Sequence, residues 1–77
     1  LTVEQYDNLH QQQNGLCVIC KQPETHKFKG KLKRLSVDHC HQTGKIRGLL
    51  CNNCNVLLGR AKDSILVLQS AIKYLGG

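Results

Sequence analysis

The sequence has no tryptophan and no methionine, one phenylalanine (Phe28), two tyrosines (Tyr6 and Tyr74) and one proline (Pro23). So few aromatic side chains leave little to bury. A chain of 77 residues is one domain, 1–77, at most, and it buries a smaller share of its surface than a larger one does. A fold of this size needs a staple: disulfides, a metal or a partner. No apolar run is long enough to span a bilayer and no signal peptide is visible, so no membrane partner is expected. Acidic residues are scarce too. Five Asp and Glu face eleven Lys and Arg, giving a net charge of +6 and a pI near 9.3. That balance favours a polyanionic partner, and nucleic acid is the commonest. The chain starts at Leu1 rather than Met, which reads as a fragment or a processed form.

Cysteine is what the sequence has in quantity. Four of the five form two knuckles, Cys17-Val18-Ile19-Cys20 and Cys51-Asn52-Asn53-Cys54. Cysteines two residues apart in a knuckle converge as thiolates on one tetrahedral ion, so Cys17, Cys20, Cys51 and Cys54 are expected to bind one Zn²⁺. A closed four-thiolate shell leaves no position for substrate, which makes this ion structural. Its binding free energy is folding free energy, about 10–16 kcal/mol in zinc-finger peptides. Two disulfides, buried free thiols or an iron–sulfur cluster are the competing readings of the same cysteines. The odd fifth cysteine, Cys40, argues against a closed disulfide set. Zinc thiolates imply a reducing compartment, hence the cytoplasm.

Around the knuckles the chain reads as α+β. Thr2 to Gln13 is expected as a helix, with Thr2 and Gln5 as a capping box and Val3, Tyr6 and Leu9 on one stripe. Asn14-Gly15 ends it. Pro23 to Arg34, rich in lysine, reads as a loop or a frayed hairpin arm. Leu35 to His39 alternates like a strand, Gln42 to Lys45 is a turn around Gly44, and Ile46 to Leu50 is a second strand, so the pair forms a hairpin. Cys51 to about Arg60 is a short helix. Asp63 or Ser64 caps a last helix through Leu75, with Ile65, Leu68, Ile72 and Leu75 on one face.

The run Asp38-His39-Cys40-His41 and the later Asn55 have the residue types of a hydrolytic metal site. Hydrolysing a phosphodiester needs a cation against the developing charge and a base for the attacking water. Asp38 is a hard oxygen ligand suited to Mg²⁺ or Mn²⁺. His39 is a base near neutral pH. A hairpin folding back on the following helix brings Asn55 toward Asp38. Read singly, each residue has an ordinary explanation: a structural histidine, a helix-capping asparagine. In a regular strand, moreover, Asp38 and His39 point to opposite faces. Joint service at one phosphate therefore requires an irregular backbone near residues 38 to 41.

The segments Gly15-Leu16-Cys17-Val18-Ile19-Cys20, Leu35 to His41 and Gly44 to Asn55 together resemble the phage recombination endonuclease VII family, within the His-Asn-His nucleases of ββα-metal fold. The resemblance covers about residues 14 to 60. It implies that Asp38 and Asn55 hold a catalytic divalent cation, that His39 is the general base, and that His41 is a further active-site histidine near phosphate or metal. It also implies cleavage to 5′-phosphate and 3′-hydroxyl ends. A phage origin would make the compartment the host cytoplasm. Cys40 departs from the polar residue expected between the two histidines, and the turn after His41 is short. The chain also ends soon after its last helix, without the long C-terminal helical region of the junction-resolving members. That favours simple nicking or unspecific cleavage by a minimal module over junction resolution; a monomer or weak dimer is expected.

Lys45 and Arg47 beside the hairpin turn, and Arg60 and Lys62 after the site helix, are the expected phosphate contacts. Such contacts give affinity without reading sequence. Few aromatics are available for stacking on single strands, so double-stranded or branched DNA is the expected partner. Two other readings share these cysteines and charges: a non-catalytic, treble-clef zinc module gripping nucleic acid, and a zinc domain meeting an acidic protein. The trio Asp38, His39 and Asn55 discriminates, because a pure binder has no need of it.

Overall fold

A computed structural model describes residues 1–77. Its elements run α1 (Val3–Gln12), β1 (Lys27–Phe28), β2 (Lys31–Leu32), β3 (Ser36–His39), β4 (Ile46–Leu50), α2 (Asn52–Arg60) and α3 (Ile65–Tyr74). The class is α+β, with three helices and two small antiparallel sheets.

The capping box at α1 forms as expected. Gln5 N donates to Thr2 Oγ1 at 3.1 Å, and Thr2 N donates to Gln5 Oε1 at 2.8 Å. Of the expected stripe, Tyr6 and Leu9 pack on the core, whereas Val3 is 74% exposed. The core is too small to reach the first turn. In the lysine-rich arm, β1 and β2 pair around Lys29 and Gly30, with φ of 52° and 78°. Two successive left-handed residues match the twist of a tight hairpin.

The second hairpin pairs Ser36 with Leu50, Val37 with Leu49 and Asp38 with Gly48, and then slips so that His39 pairs with Ile46. Its turn is closed by Gly44 N donating to Cys40 O at 2.7 Å and Cys40 N to Lys45 O at 2.8 Å. Gly44 has φ +75°, a conformation that costs glycine little. Gly48 serves close packing instead. A Cβ there would lie 3.3 Å from both Gln13 Oε1 and Val18 Cγ1.

Only nine of 77 residues are buried, so apolar burial alone is thin for holding the chain. The main cluster is Cys17, Leu35, Leu49, Leu50, Cys51 and Cys54, flanked by Tyr6, Leu9, Val37 and Leu58. Polar groups fasten its rim. Tyr6 Oη donates to Leu35 O at 2.6 Å. Gln13 acts as a strand substitute for Leu49: its Oε1 accepts from Leu49 N at 2.9 Å and its Nε2 donates to Leu49 O at 3.0 Å. Glu24 is buried, and it accepts from Thr25 N and His26 N through one oxygen and from Asn52 N through the other. That last bond, at 2.8 Å, ties the lysine-rich arm to the first turn of α2 and sets a carboxylate at the positive end of the helix.

The last helix forms where expected, but Ser64 rather than Asp63 caps it, Ser64 Oγ accepting from Val67 N at 3.2 Å. Its apolar face stays open. Ile65, Ile72 and Leu75 are exposed and only Leu68 is half-buried. No other element of this chain packs over that stripe, so burial there does not follow from its periodicity.

Gln13→Ala leaves both backbone groups of buried Leu49 short of their side-chain partner. We expect a loss of about 1–3 kcal/mol in denaturant unfolding of the zinc-loaded protein. An unchanged midpoint would contradict the role given to Gln13.

Candidate active site and metal cluster

The knuckle cysteines come together. The sulfurs of Cys17, Cys20, Cys51 and Cys54 all lie within 4.8 Å of one another, and none of the five cysteines is in a disulfide. Zn–S bonds of about 2.3 Å place tetrahedral sulfurs about 3.8 Å apart. Cys20 Sγ and Cys51 Sγ are 3.7 Å apart. The donor set therefore fits one zinc ion. Cys51 has a second duty as N-cap of α2, its sulfur accepting from Cys54 N at 3.4 Å. Burial pushes the Cys51 thiol up. Burial and the neighbouring thiols push Cys54 up strongly. Burial also acts on Cys17, but the N–H groups of Cys20, Cys51 and Ile19 outweigh it and bring that thiol down to about 6. Four thiolates so close together need a cation among them.

On the other side of β3, Asp38, His39, His41 and Asn55 line one cavity of about 210 Å³, together with Asp63, Leu58 and Gly59. The slip in the hairpin makes this convergence possible. Because Asp38 pairs with Gly48 and His39 with Ile46, Arg47 has no partner across the ladder. Such a bulge resets the alternation of faces, and Asp38 and His39 then serve the same cavity. The irregularity expected near residues 38 to 41 lies at this step. Asn55 is in the first turn and a half of α2 and is not its cap, a place already held by Cys51. His39 is exposed, its ring 6.0 Å from that of His41 and nearly perpendicular to it.

Arg47 is not the free cation expected from the sequence. Its Nε donates to Asp38 Oδ2 at 2.7 Å and one terminal nitrogen to Asp38 Oδ1 at 3.1 Å. The same terminal nitrogen reaches Asp63 Oδ2 at 3.5 Å. A bidentate, charge-assisted fork of this kind is among the stronger polar contacts. The hydrogen bond to Asp38 raises the Arg47 pKa further. Asp38, Asp63 and Asn55 are oxygen donors of the kind a hard divalent cation takes. Both Asp38 oxygens are already engaged, so a cation there must share or displace the guanidinium.

Asp63 is the residue that sequence reasoning missed. Its Oδ2 lies 2.7 Å from His41 Nδ1. The only signal was the choice between Asp63 and Ser64 as a cap, since the side chain that does not cap is free to point elsewhere. Lys62 and Asp63 both have left-handed backbone, with φ of 54° and 55°. A non-glycine residue there costs roughly 1–2 kcal/mol, less for Asp. Lys62 N donating to Gly59 O and Asp63 N to Leu58 O close the end of α2 in a Schellman arrangement.

The basic residues divide. Lys62 lines a second cavity of about 350 Å³ with Arg47, Cys40, His41 and Asp63. Lys45 and Arg60 are exposed. Cys40 stays outside the four-cysteine cluster, half-buried, with its thiol lowered by a hydrogen bond from Thr43. No helix is long and apolar enough to cross a membrane.

Comparison with known proteins accords with this arrangement. A family described as recombination endonuclease VII matches residues 1–77. The chain is 50% identical over 76 residues to the Gene 59 protein of Mycobacterium phage D29, and 46% identical over 76 residues to that of Mycobacterium phage L5. Each match covers 97% of this chain and 43% of the relative, so the chain spans less than half the length of these proteins. The expectation of a minimal nicking module rested on where the sequence stops, and that length removes its ground. The match over all 77 residues, with two relatives near half identity, establishes the conclusion that the chain belongs to the recombination endonuclease VII family.

Proposed function

We propose that the chain is a metal-dependent DNA endonuclease domain of the His-Asn-His type, hydrolysing phosphodiester bonds in double-stranded or branched DNA. The observation that carries this reading is the convergence of Asp38, His39, His41 and Asn55 on one cavity, in a chain of net charge +6. The reading takes β3, β4 and α2 as the ββα-metal unit and residues 1–77 as one domain. The reading places it in the host cytoplasm, where thiols stay reduced.

In this mechanism Asp38 and Asn55 would hold Mg²⁺ or Mn²⁺, which would supply positive charge against the charge developing on the scissile phosphate and the departing oxygen. His39 takes a proton from the attacking water. His41 sits next to it as a second imidazole at the phosphate. Arg47, Lys45, Arg60 and Lys62 contact phosphates, with Arg47 exchanging its carboxylate partners for phosphate oxygens. Lys27, Lys29, Lys31 and Lys33 on the arm hold a second stretch of backbone. The ends left are 5′-phosphate and 3′-hydroxyl. The zinc ion on Cys17, Cys20, Cys51 and Cys54 is structural.

One observation favours a second reading, a non-catalytic zinc-finger module that only binds nucleic acid. The Arg47 fork occupies both Asp38 oxygens, as a structural staple would.

Asp38→Ala and His39→Ala are expected to lose conversion of supercoiled plasmid to open circles in Mg²⁺ or Mn²⁺, while zinc content and DNA affinity in EDTA persist. Wild-type cleavage by His39→Ala removes that residue as base. Binding without cleavage by the wild type in every metal favours the second reading.

For the zinc cluster, Cys51→Ser should abolish cooperative unfolding; a well-folded, zinc-free variant contradicts a structural ion. Because burial holds Cys51 and Cys54 protonated when no cation is present, metal binding must release protons. Zinc affinity is therefore expected to fall as pH is lowered from about 8 to about 6, as read by competition with a chromophoric chelator. A flat profile would contradict the assignment of these thiols.

A further inference from the structure

We propose that Asp63 is a positioning residue of this site, holding the His41 ring in a single tautomer and orientation. The tautomer stands on geometry alone, while its effect on turnover rests on the nuclease reading above.

A neutral imidazole has one N–H and one lone pair, and its partner decides which nitrogen carries which. Asp63 Oδ2 lies 2.7 Å from His41 Nδ1. An ionised carboxylate can only accept, so the proton of the neutral ring belongs on Nδ1. Nε2 is then the nitrogen with the lone pair, available to the cavity that the ring lines beside Asp38 and Asn55. The free ring prefers the opposite tautomer, with its proton on Nε2. His41 itself follows the hairpin strand and is largely exposed. Its one side-chain hydrogen bond is this one to Asp63.

Asp63 is well placed for this work. Its backbone N–H donates to Leu58 O at 2.9 Å, which fixes it to the end of α2, the helix that carries Asn55. The Asp63–His41 pair thus joins the hairpin turn to that helix across the cavity. The same carboxylate oxygen draws on Arg47 at 3.5 Å. Asp63 therefore faces the two cations or potential cations around it, while Asp38 holds Arg47 from the other side.

The test uses the zinc-loaded protein and two variants. Asp63→Gly suits φ +55° and removes the carboxylate without backbone strain, and retained cooperative unfolding of the zinc-loaded variant checks that the fold is kept. Asp63→Asn keeps a residue that tolerates this backbone and an oxygen that can accept. Ring ¹⁵N shifts at a pH where His41 is neutral should place the proton on Nδ1 in the wild type and in Asp63→Asn, and on Nε2 in Asp63→Gly. Turnover at saturating DNA should fall on the order of 10- to 100-fold in Asp63→Gly and less in Asp63→Asn, with DNA affinity in EDTA unchanged. An Nδ1 proton retained in Asp63→Gly overturns the proposal, as does turnover equal to the wild type. If the wild type cuts no DNA, the nuclease reading fails instead, and the ring shifts alone decide whether Asp63 positions His41.

Discussion

The convergence of four cysteine sulfurs is the constraint on which the rest of this structure depends. Three of the six residues in the buried cluster belong to the four-cysteine group that fits a zinc ion, so core and cysteine cluster are not separate things. With nine residues buried in 77, there is no second reservoir of apolar contact to fall back on. The cluster joins the segment after α1 to the first turn of α2. Cys51 then does two things at once, as ligand and as helix cap. Glu24 reinforces the same point by accepting from Asn52 N. Whatever α2 carries is therefore placed by the metal end of the molecule, and α2 carries Asn55.

A second constraint acts on the opposite strand. Two consecutive strand residues cannot face one cavity in regular pleating. The slip between Asp38 and His39 removes that obstacle and frees Arg47 from the ladder. The freed guanidinium then turns to Asp38. A single irregularity thus explains both the approach of the two site residues and the cation between the carboxylates. Gly48, next to Arg47, lets Gln13 and Val18 come close where a side chain would not.

Much of this was legible in the sequence, and what was not has a common cause. The α1 capping box, the hairpin turn at Gly44 and the knuckles are local patterns, with every partner a few residues away. The bulge was foreseeable as a need, because Asp38 and His39 are adjacent, but its form was not. The polar ties were silent: Gln13 to Leu49 and Glu24 to Asn52 span 36 and 28 residues and follow no periodicity. His41 to Asp63 spans 22. Periodicity did identify α3 as a helix, but an apolar stripe names a face and not what covers it. Asp38, His39, His41 and Asn55, singled out because their chemistry is unusual as a set, do line one cavity, and Asp63 in the same lining escaped because a helix cap explained it well enough.

The charge arrangement at the cavity gives these contacts one physical sense. Asp38 and Asp63 present two carboxylates to one cavity. Arg47 lies between them, bidentate to one and within 3.5 Å of the other. A lysine would supply the charge but not the planar fork that engages two oxygens in fixed directions. The same fork matches a phosphate as well as it matches a carboxylate. Set between Asp38 and Asp63, the guanidinium engages both carboxylates and leaves neither facing the other without a cation between them.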